Sequence, residues 1–417
     1  MNKEIKLPKG WKLKTLGEVC QTTSGGTPSR GNKSYYNGLI PWVKSGELNK
    51  GVIYDTEEKI TEEAVKNSSA KIFPKGTLLI ALYGATIGKL AVLGIDAATN
   101  QAICGIYQNK NIDSKYIYNF LFHKKQELVK QGIGGAQPNI SQTILKKLEL
   151  PVPPLETQQA IVSKIEELFS ELDKGIEDLK TAQQQLKTYR QSVLKYAFEG
   201  KLTNEKVKDG VLPKGWEIVK MTDVALTYGG YAFKSGEFKS QGKYQVLRMG
   251  NVRPGIVRYD ENPVYLDEVD QSILNRSLLK IDDVIITQTG TRKKRDYGFT
   301  TLISKDNLLL NQRIASIRFG DKYSPKFFLY YSWTDLFKDQ FFANETGNVG
   351  QGNVGMKAVT ETLIPNPSHE EQHQIVQEIE SRLSVADKME ESIAQSLQHA
   401  EALRQSILKK AFSGELV

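Results

Sequence analysis

Apolar residues recur at helical spacing through two long stretches of the chain. In the first, Ile165, Leu172, Leu179, Leu186 and Val193 hold one heptad position; in the second, Ile379, Ala386, Ile393, Ala400 and Ile407 do the same. A second register adds Ile161, Leu168, Ala182 and Tyr189 in the one, and Ile375, Met389 and Leu403 in the other. The other faces are rich in Gln, Glu and Lys, so the pattern predicts two long helices whose apolar seam needs a partner. Each begins after a proline break, Pro151-Val152-Pro153-Pro154 or Pro365-Asn366-Pro367, which ends a strand and starts a helix. One copy uses leucine where the other uses alanine, large against small if the two helices pair. From Thr157 to Leu194 the first would run roughly 55 Å at about 1.5 Å per residue.

The rest of the chain reads as mixed α/β. Thr77–Tyr83 and Lys89–Leu93 are apolar runs joined by a Gly84–Gly88 turn and predict buried strands, followed by a helix from about Ser114 to Gln131. Later, Asp283–Gln288 and Arg313–Ile317 predict strands, and Ser324-Pro325 opens a helix.

These parts repeat. Leu7-Pro8-Lys9-Gly10-Trp11 recurs as Leu212-Pro213-Lys214-Gly215-Trp216. Residues 150–202 and 364–416, aligned without gaps, share 22 identities in 53 positions. Between the two mixed regions only scattered matches survive, among them Asn100-Gln101 with Asn311-Gln312 and Gly46 with Gly250. The chain is a tandem duplication in which the helices stay alike and the globules diverge.

Charge follows the same division. The chain of 417 residues carries a net +8. Residues 1–150 hold 21 Lys/Arg against 12 Asp/Glu, and residues 212–363 hold 21 against 17. The helical segments 151–211 and 364–417 are mildly acidic, with 9 against 10 and 5 against 9. Basic globules invite a polyanionic partner. No apolar run is long enough to span a membrane and the N-terminus lacks a secretory pattern, so a cytoplasmic protein with no membrane partner is expected. Two cysteines, Cys20 and Cys104, are too few for a disulfide framework.

Several motifs suggest chemistry and fail on context. His369-Glu370-Glu371-Gln372-His373 fits H-E-x-x-H, but the duplicate is Leu155-Glu156-Thr157-Gln158-Gln159. Gly350-Gln351-Gly352-Asn353-Val354-Gly355 fits G-x-G-x-x-G with no βαβ unit around it. Gly84-Ala85-Thr86-Ile87-Gly88-Lys89 is one residue short of a phosphate loop, and Asn262-Pro263-Val264-Tyr265 lacks the second proline of an adenine-methyltransferase motif. The expectation is no catalytic residue, no metal and no cofactor. An enzyme (a fused DNA methyltransferase or a zinc hydrolase) and a coiled-coil scaffold that binds only proteins are the competing classes.

Basic and amide side chains in the globules point instead to DNA. Lys44, Thr86, Lys89, Gln137 and Asn139 in the first, and Arg248, Gln288, Thr289, Arg292, Lys293, Lys294, Arg295, Gln351 and Asn353 in the second, are types that reach phosphates or read base edges. For any one of them the plainer reading is a solvated surface residue.

The paired Leu-Pro-Lys-Gly-Trp openings, the Pro-x-Pro-x-x-Glu-x-Gln helix starts and the Ala-Phe-x-Gly-x-Leu closings (Ala197–Leu202, Ala411–Leu416) resemble the specificity subunit of Type I restriction–modification systems. The resemblance spans essentially the whole chain. It implies two target-recognition domains separated by helices; with the duplication, which closes most simply with its helices antiparallel, the expected architecture is α+β: two mixed α/β globules, 1–150 and 212–363, joined by two long antiparallel coiled-coil helices, 151–211 and 364–417, in a pseudo-two-fold arrangement. It also implies that each globule reads half of a bipartite site on double-stranded DNA while the helices set the spacing. Two adenine methyltransferase subunits and restriction–translocase subunits would be the partners and carry the chemistry. Glu156, Gln158, Phe198, Glu370, Gln372 and Phe412, in the duplicated segments, are the candidates for contact with the methyltransferase; capping and ending the helices is their other possible role.

Overall fold

The computed structural model describes residues 7–49, 51–131, 139–204, 207–208, 210–343, 345–348 and 350–417. Four helices organise the chain: α1 (Ser114–Gln131), α2 (Leu155–Phe198), α3 (Pro325–Tyr331) and α4 (His369–Ser413). Its contacts fall into two compact units, Met1–Lys180 with Ala394–Val417, and Thr181–Ile393. The boundary cuts each long helix near its middle. Each unit therefore holds one globule and half of each long helix.

In the first unit a five-stranded sheet runs in the order Thr22–Ser24, Ile103–Ile106, Leu78–Ala81, Leu90–Leu93, Val52–Ile53. Leu78–Ala81 and Leu90–Leu93 pair antiparallel around the Gly84–Gly88 turn, as their apolar runs predict. A four-stranded sheet is built around Tyr36–Val43. Lys12–Thr15 pairs with Glu149–Val152, which ties the start of the globule to the strand that leads into α2. The main core joins Leu78, Ile80, Tyr116 and Phe120 to Ile161 and Ile165 of α2 and to Ile407, Leu408, Ala411 and Phe412 of α4.

The second unit repeats the plan. Its four-stranded sheet is ordered Ala225–Gly229, Ile314–Phe319, Val284–Thr287, Thr300–Leu302, and Glu217–Lys220 pairs with Leu363–Asn366. The helix opened by Ser324 ends early, at Tyr331, and a second one follows over Asp335–Phe342. Ile375, Val376 and Ile379 of α4 share its core with Val193, Leu194 and Ala197 of α2.

Within each unit the helix halves are antiparallel. In the first, Ile161 and Ile165 meet the last turns of α4 and Phe169 meets Arg404. In the second, Arg190 lies beside Asp387 while Val193–Ala197 lie beside Ile375–Ile379. The first heptad register is the seam: Ile165, Val193, Ile379, Ala386, Ala400 and Ile407 are buried, with Leu172, Leu179 and Leu186 half-buried. The second register does not hold along its length, since Tyr189, Met389 and Leu403 are exposed. Two antiparallel helices cover one stripe of each other, and only near the globules does a second stripe find cover.

The repeated openings and closings are one device. The Gly200 and Gly414 of the Ala-Phe-x-Gly-x-Leu closings take φ of +73° and +78°, the left-handed turn that ends a helix. Lys201 N–H and Glu415 N–H then reach back to Tyr196 O and Lys410 O at 2.8 and 2.9 Å. A Cβ on Gly200 would meet Pro213 Cγ at 2.3 Å, and one on Gly414 would meet Pro8 Cγ at 2.3 Å. Each closing thus seats the proline of a Leu-Pro-Lys-Gly-Trp opening in its own unit, and the two motifs recur together because they pack together.

Candidate nucleic-acid interface

Both globules carry the same junction of four segments, although few side chains match. In the first, Leu82 N–H donates to Ala102 O at 2.8 Å and Leu82 O accepts from Ile140 N–H at 2.8 Å. Gly25 and Gly26 N–H donate to Ile103 O and Thr99 O at 3.0 and 2.9 Å, and Asn100 N–H donates to Val43 O at 3.0 Å. In the second, Gln288 N–H donates to Arg313 O at 2.9 Å and Gln288 O accepts from Val354 N–H at 2.8 Å. Gly230 and Tyr231 N–H donate to Ile314 O and Leu310 O, both at 3.0 Å, and Asn311 N–H donates to Leu247 O at 3.2 Å. The bonds put Leu82 on Gln288, Asn139 on Asn353, Gln101 on Gln312 and Lys44 on Arg248.

Lys44 and Arg248 each open a short 3-10 turn through main-chain N–H bonds to Glu47 Oε2 (2.9 Å) and Asn251 Oδ1 (3.0 Å). Their charges differ in freedom. Lys44 Nζ pairs with Glu57 and Glu58 at 2.8 and 3.1 Å, and Arg30 binds Glu58 at 2.6 Å. The Arg30 and Lys44 contacts hold the Glu58 carboxyl below the usual range. Arg248 donates to Asn262 O.

Gln288 and Thr289 are not base readers. Both are buried; the Gln288 amide donates to Val354 O at 3.1 Å and the Thr289 hydroxyl lies 3.3 Å from Met249 Sδ. Their sequence position after a strand looks like an exposed loop, but Thr289–Gly290 is itself a strand, paired with Gly352–Asn353. That pairing sets the basic loop beside the antiparallel pair Thr346–Gly347 and Gly352–Asn353, where Gln351 and Asn353 are exposed.

The basic loop is half committed. Arg292 Nε bonds Glu345 at 3.2 Å, and the Arg295 guanidinium lies 4.6 Å from the Phe342 ring centre. Lys293 and Lys294 are exposed. In the first globule Thr86 and Lys89 are half-buried in the turn after Leu78–Ala81, and Asn139 is exposed on a bridge to Tyr83. Gln137 lies outside the described residues.

The chain that builds this junction twice is similar to known proteins. A family described as "Type I restriction modification DNA specificity domain" matches residues 8–181 and 213–399. The chain belongs to that family. It is 30% identical over 304 residues to the Type I restriction enzyme MjaIX specificity subunit of Methanocaldococcus jannaschii, covering 69% of this chain and 68% of the relative. It is 26% identical to the EcoKI specificity subunit of Escherichia coli K12, over 99% of this chain and 90% of that one. The solved HsdS subunit from Thermoanaerobacter tengcongensis shares the fold, with a TM-score of 0.63 at 20% identity over 98% of each chain. A chain from a type I R-M complex study superposes at a TM-score of 0.76, 20% identity, over 98% of this chain and 99% of that one.

The duplicated residues make contacts within their own units. The Gln158 amide oxygen accepts from Asp113 N–H at 2.9 Å and its nitrogen donates to Pro153 O at 2.9 Å. Gln372 accepts from Ser324 N–H at 2.7 Å and donates to Pro367 O at 3.1 Å. Both are buried, and each bonds the residue before α1 or α3, locking a long helix to its globule. Phe412 packs 5.2 and 5.1 Å from Tyr116 and Phe120, and Phe198 packs 5.1 and 5.2 Å from Phe327 and Tyr331. These four side chains face inward and fasten each long helix within its own unit; they are not the exposed partner contacts that their duplication predicts. Glu156 and Glu370 remain exposed. His369 and His373 have their Nε2 atoms 3.2 Å apart, and no group of three or more metal-ligating side chains occurs among the described residues.

Proposed function

We propose that this specificity subunit reads a bipartite site on double-stranded DNA, one half with each globule, in a complex with two adenine methyltransferase subunits. The duplicated junction carries the reading: one main-chain scaffold is built twice and presents different side chains, as two half-sites of different sequence require. Exposed Lys293 and Lys294, with Thr86, Lys89 and Arg248, supply phosphate contacts; Asn139, Gln351 and Asn353 supply amides for base edges. Methylation of adenine and, where restriction–translocase subunits join, cleavage are the work of those partners in the cytoplasm. The helices act as a ruler: α2 has 44 residues, roughly 66 Å at about 1.5 Å each.

The test is block exchange. Replacing residues 1–150 by the corresponding block of another family member, in the chain co-expressed with its methyltransferase partner, should change one half-site of the methylated sequence. The other half and the spacer should stay. A methylome in which both halves change, or neither, overturns the assignment.

A further inference from the structure

The corner of the junction holds the one dipeptide that the two globules share there. Asn100-Gln101 and Asn311-Gln312 lie at equivalent places, fixed by the main-chain bonds of their neighbours: Thr99, Ala102 and Ile103 in the first, Leu310, Arg313 and Ile314 in the second. Those bonds need no particular side chain at 101 or 312. The asparagines are half-buried: Asn311 Oδ1 accepts from Gln312 N–H at 2.9 Å, whereas Asn100 Oδ1 is buried with no hydrogen-bond partner among the described residues. The glutamines are exposed. Packing therefore does not explain why Gln stands at both, in globules that elsewhere diverge.

The surroundings bring the rest of the candidate surface to them. Gln101 Oε1 accepts from the Thr27 hydroxyl, and nearby Tyr83 is bridged to Asn139. Gln312 follows Asn311, which is bridged to Tyr231, and precedes Arg313, whose carbonyl holds Gln288. For the Gln312 amide no hydrogen-bond partner occurs among the described residues. An exposed primary amide offers one donor and one acceptor side by side, the pattern that matches N7 and N6 of adenine in the major groove.

We propose that Gln101 and Gln312 are paired specificity residues, each reading an adenine in the half-site of its own globule. The proposal rests on the two-globule reading above and adds the residue and the base. Gln101 is pre-positioned by Thr27; Gln312 is free to turn onto its base. Because one residue type serves both globules, the two half-sites should share this base while differing elsewhere.

The experiment uses the full chain assembled with its methyltransferase subunit, bound to a randomised duplex library, with Gln101→Ala and Gln312→Ala compared with wild type. Each variant should lose selectivity for adenine at one position of one half-site, by roughly tenfold or more, with the other half-site and the spacer unchanged. Gln101→Leu, which fills the same space without the amide, should behave like the alanine variant. Thermal unfolding and complex stoichiometry equal to wild type show that the fold is intact. Unchanged selectivity in such a folded complex overturns the proposal, as does a uniform loss on all sequences, which marks a phosphate contact. A relaxed position that is not adenine also overturns it. Block exchange separates the failures: if exchange still moves one half-site while the glutamine variants read as wild type, only the glutamine assignment falls.

Discussion

Arg190 of α2 reaches Asp387 of α4 at 2.6 Å, and Glu390 one turn on at 2.9 Å. The pair is duplicated: Arg404 of α4 meets Asp173 of α2 in the other unit. In the gapless alignment of the two helical segments Arg190 stands on Arg404 and Asp173 on Asp387, so each unit holds one copy of the same crossing. An apolar seam with a simple heptad can slide by a turn; a charge fixed against two carboxylates sets the register. The carboxylates are largely exposed, so each pair is worth only about 0.2–1 kcal/mol. Arg190→Glu places three carboxylates together and should lower the unfolding midpoint. The double variant Arg190→Glu with Asp387→Arg should recover part of the loss. Equal midpoints for wild type and Arg190→Glu, by calorimetry at low salt, would remove the pair from the register argument.

The seam itself can be graded by burial. Ile379 is fully buried, and Ile379→Ala should cost about 2–5 kcal/mol. Leu403, in the second register, is 52% exposed, and Leu403→Ala should stay within about 0.5 kcal/mol of wild type. Denaturant titration of the two variants reverses the seam assignment if their order is inverted.

Gln372→Leu keeps the volume but strips the amide, leaving Ser324 N–H and Pro367 O without their partner. A buried orphan of this kind costs about 1–3 kcal/mol. Glu370→Ala, exposed one helical step away, should be neutral in stability. If Gln372→Leu unfolds like wild type but fails to bind the methyltransferase subunit, the residue faces the partner after all.

Lys293 and Lys294 should act as phosphate contacts without sequence preference. Changing both to Ala should weaken binding evenly across sequences and reduce the slope of log affinity against log salt by about two. A change of consensus at constant slope would assign them to base reading instead.

His123 couples the first unit to pH. Burial, helped by Lys124, lowers its pKa below the ordinary histidine value, so the folded chain holds it neutral. Its ring stacks on Phe412 at 5.7 Å. The unfolded chain takes up the proton first as pH falls, so stability present above the unfolded pKa of about 6.5 is lost on acidification through it. The unfolding midpoint should drop between pH 7.5 and about 5.5, and His123→Asn should flatten that drop. An equal drop in both proteins would assign the pH dependence to other groups.

The duplication, the helices and the main strands were legible in the chain because their signals are local. A heptad, a proline break, a five-residue apolar run and a repeated Ala-Phe-x-Gly-x-Leu each lie within a short window. Basic charge in the globules was equally plain, and with it the DNA partner. What those windows do not hold is the other side of a contact. Gln288 and Thr289 read as loop amide and hydroxyl because Val354 and Met249, which take up their polar groups, are 66 and 40 residues away. Gln158 and Gln372 read as surface residues of a helix start because the N–H groups they cap, on Asp113 and Ser324, are 45 and 48 residues distant.

The Asn-Gln match at 100 and 311 was visible in the sequence, but its meaning was not. Only the bonds from Leu82 to Ala102 and from Gln288 to Arg313 make the two glutamines equivalent and leave both in solvent. The division of the helices has the same origin. Periodicity determines that a helix forms and which stripe it buries, and so the sequence alone determined two long amphipathic helices and two basic globules. Which core each half-helix joins depends on where Phe198 and Phe412 find their aromatic partners, and burial against residues far along the chain is decided only when the whole tertiary structure closes.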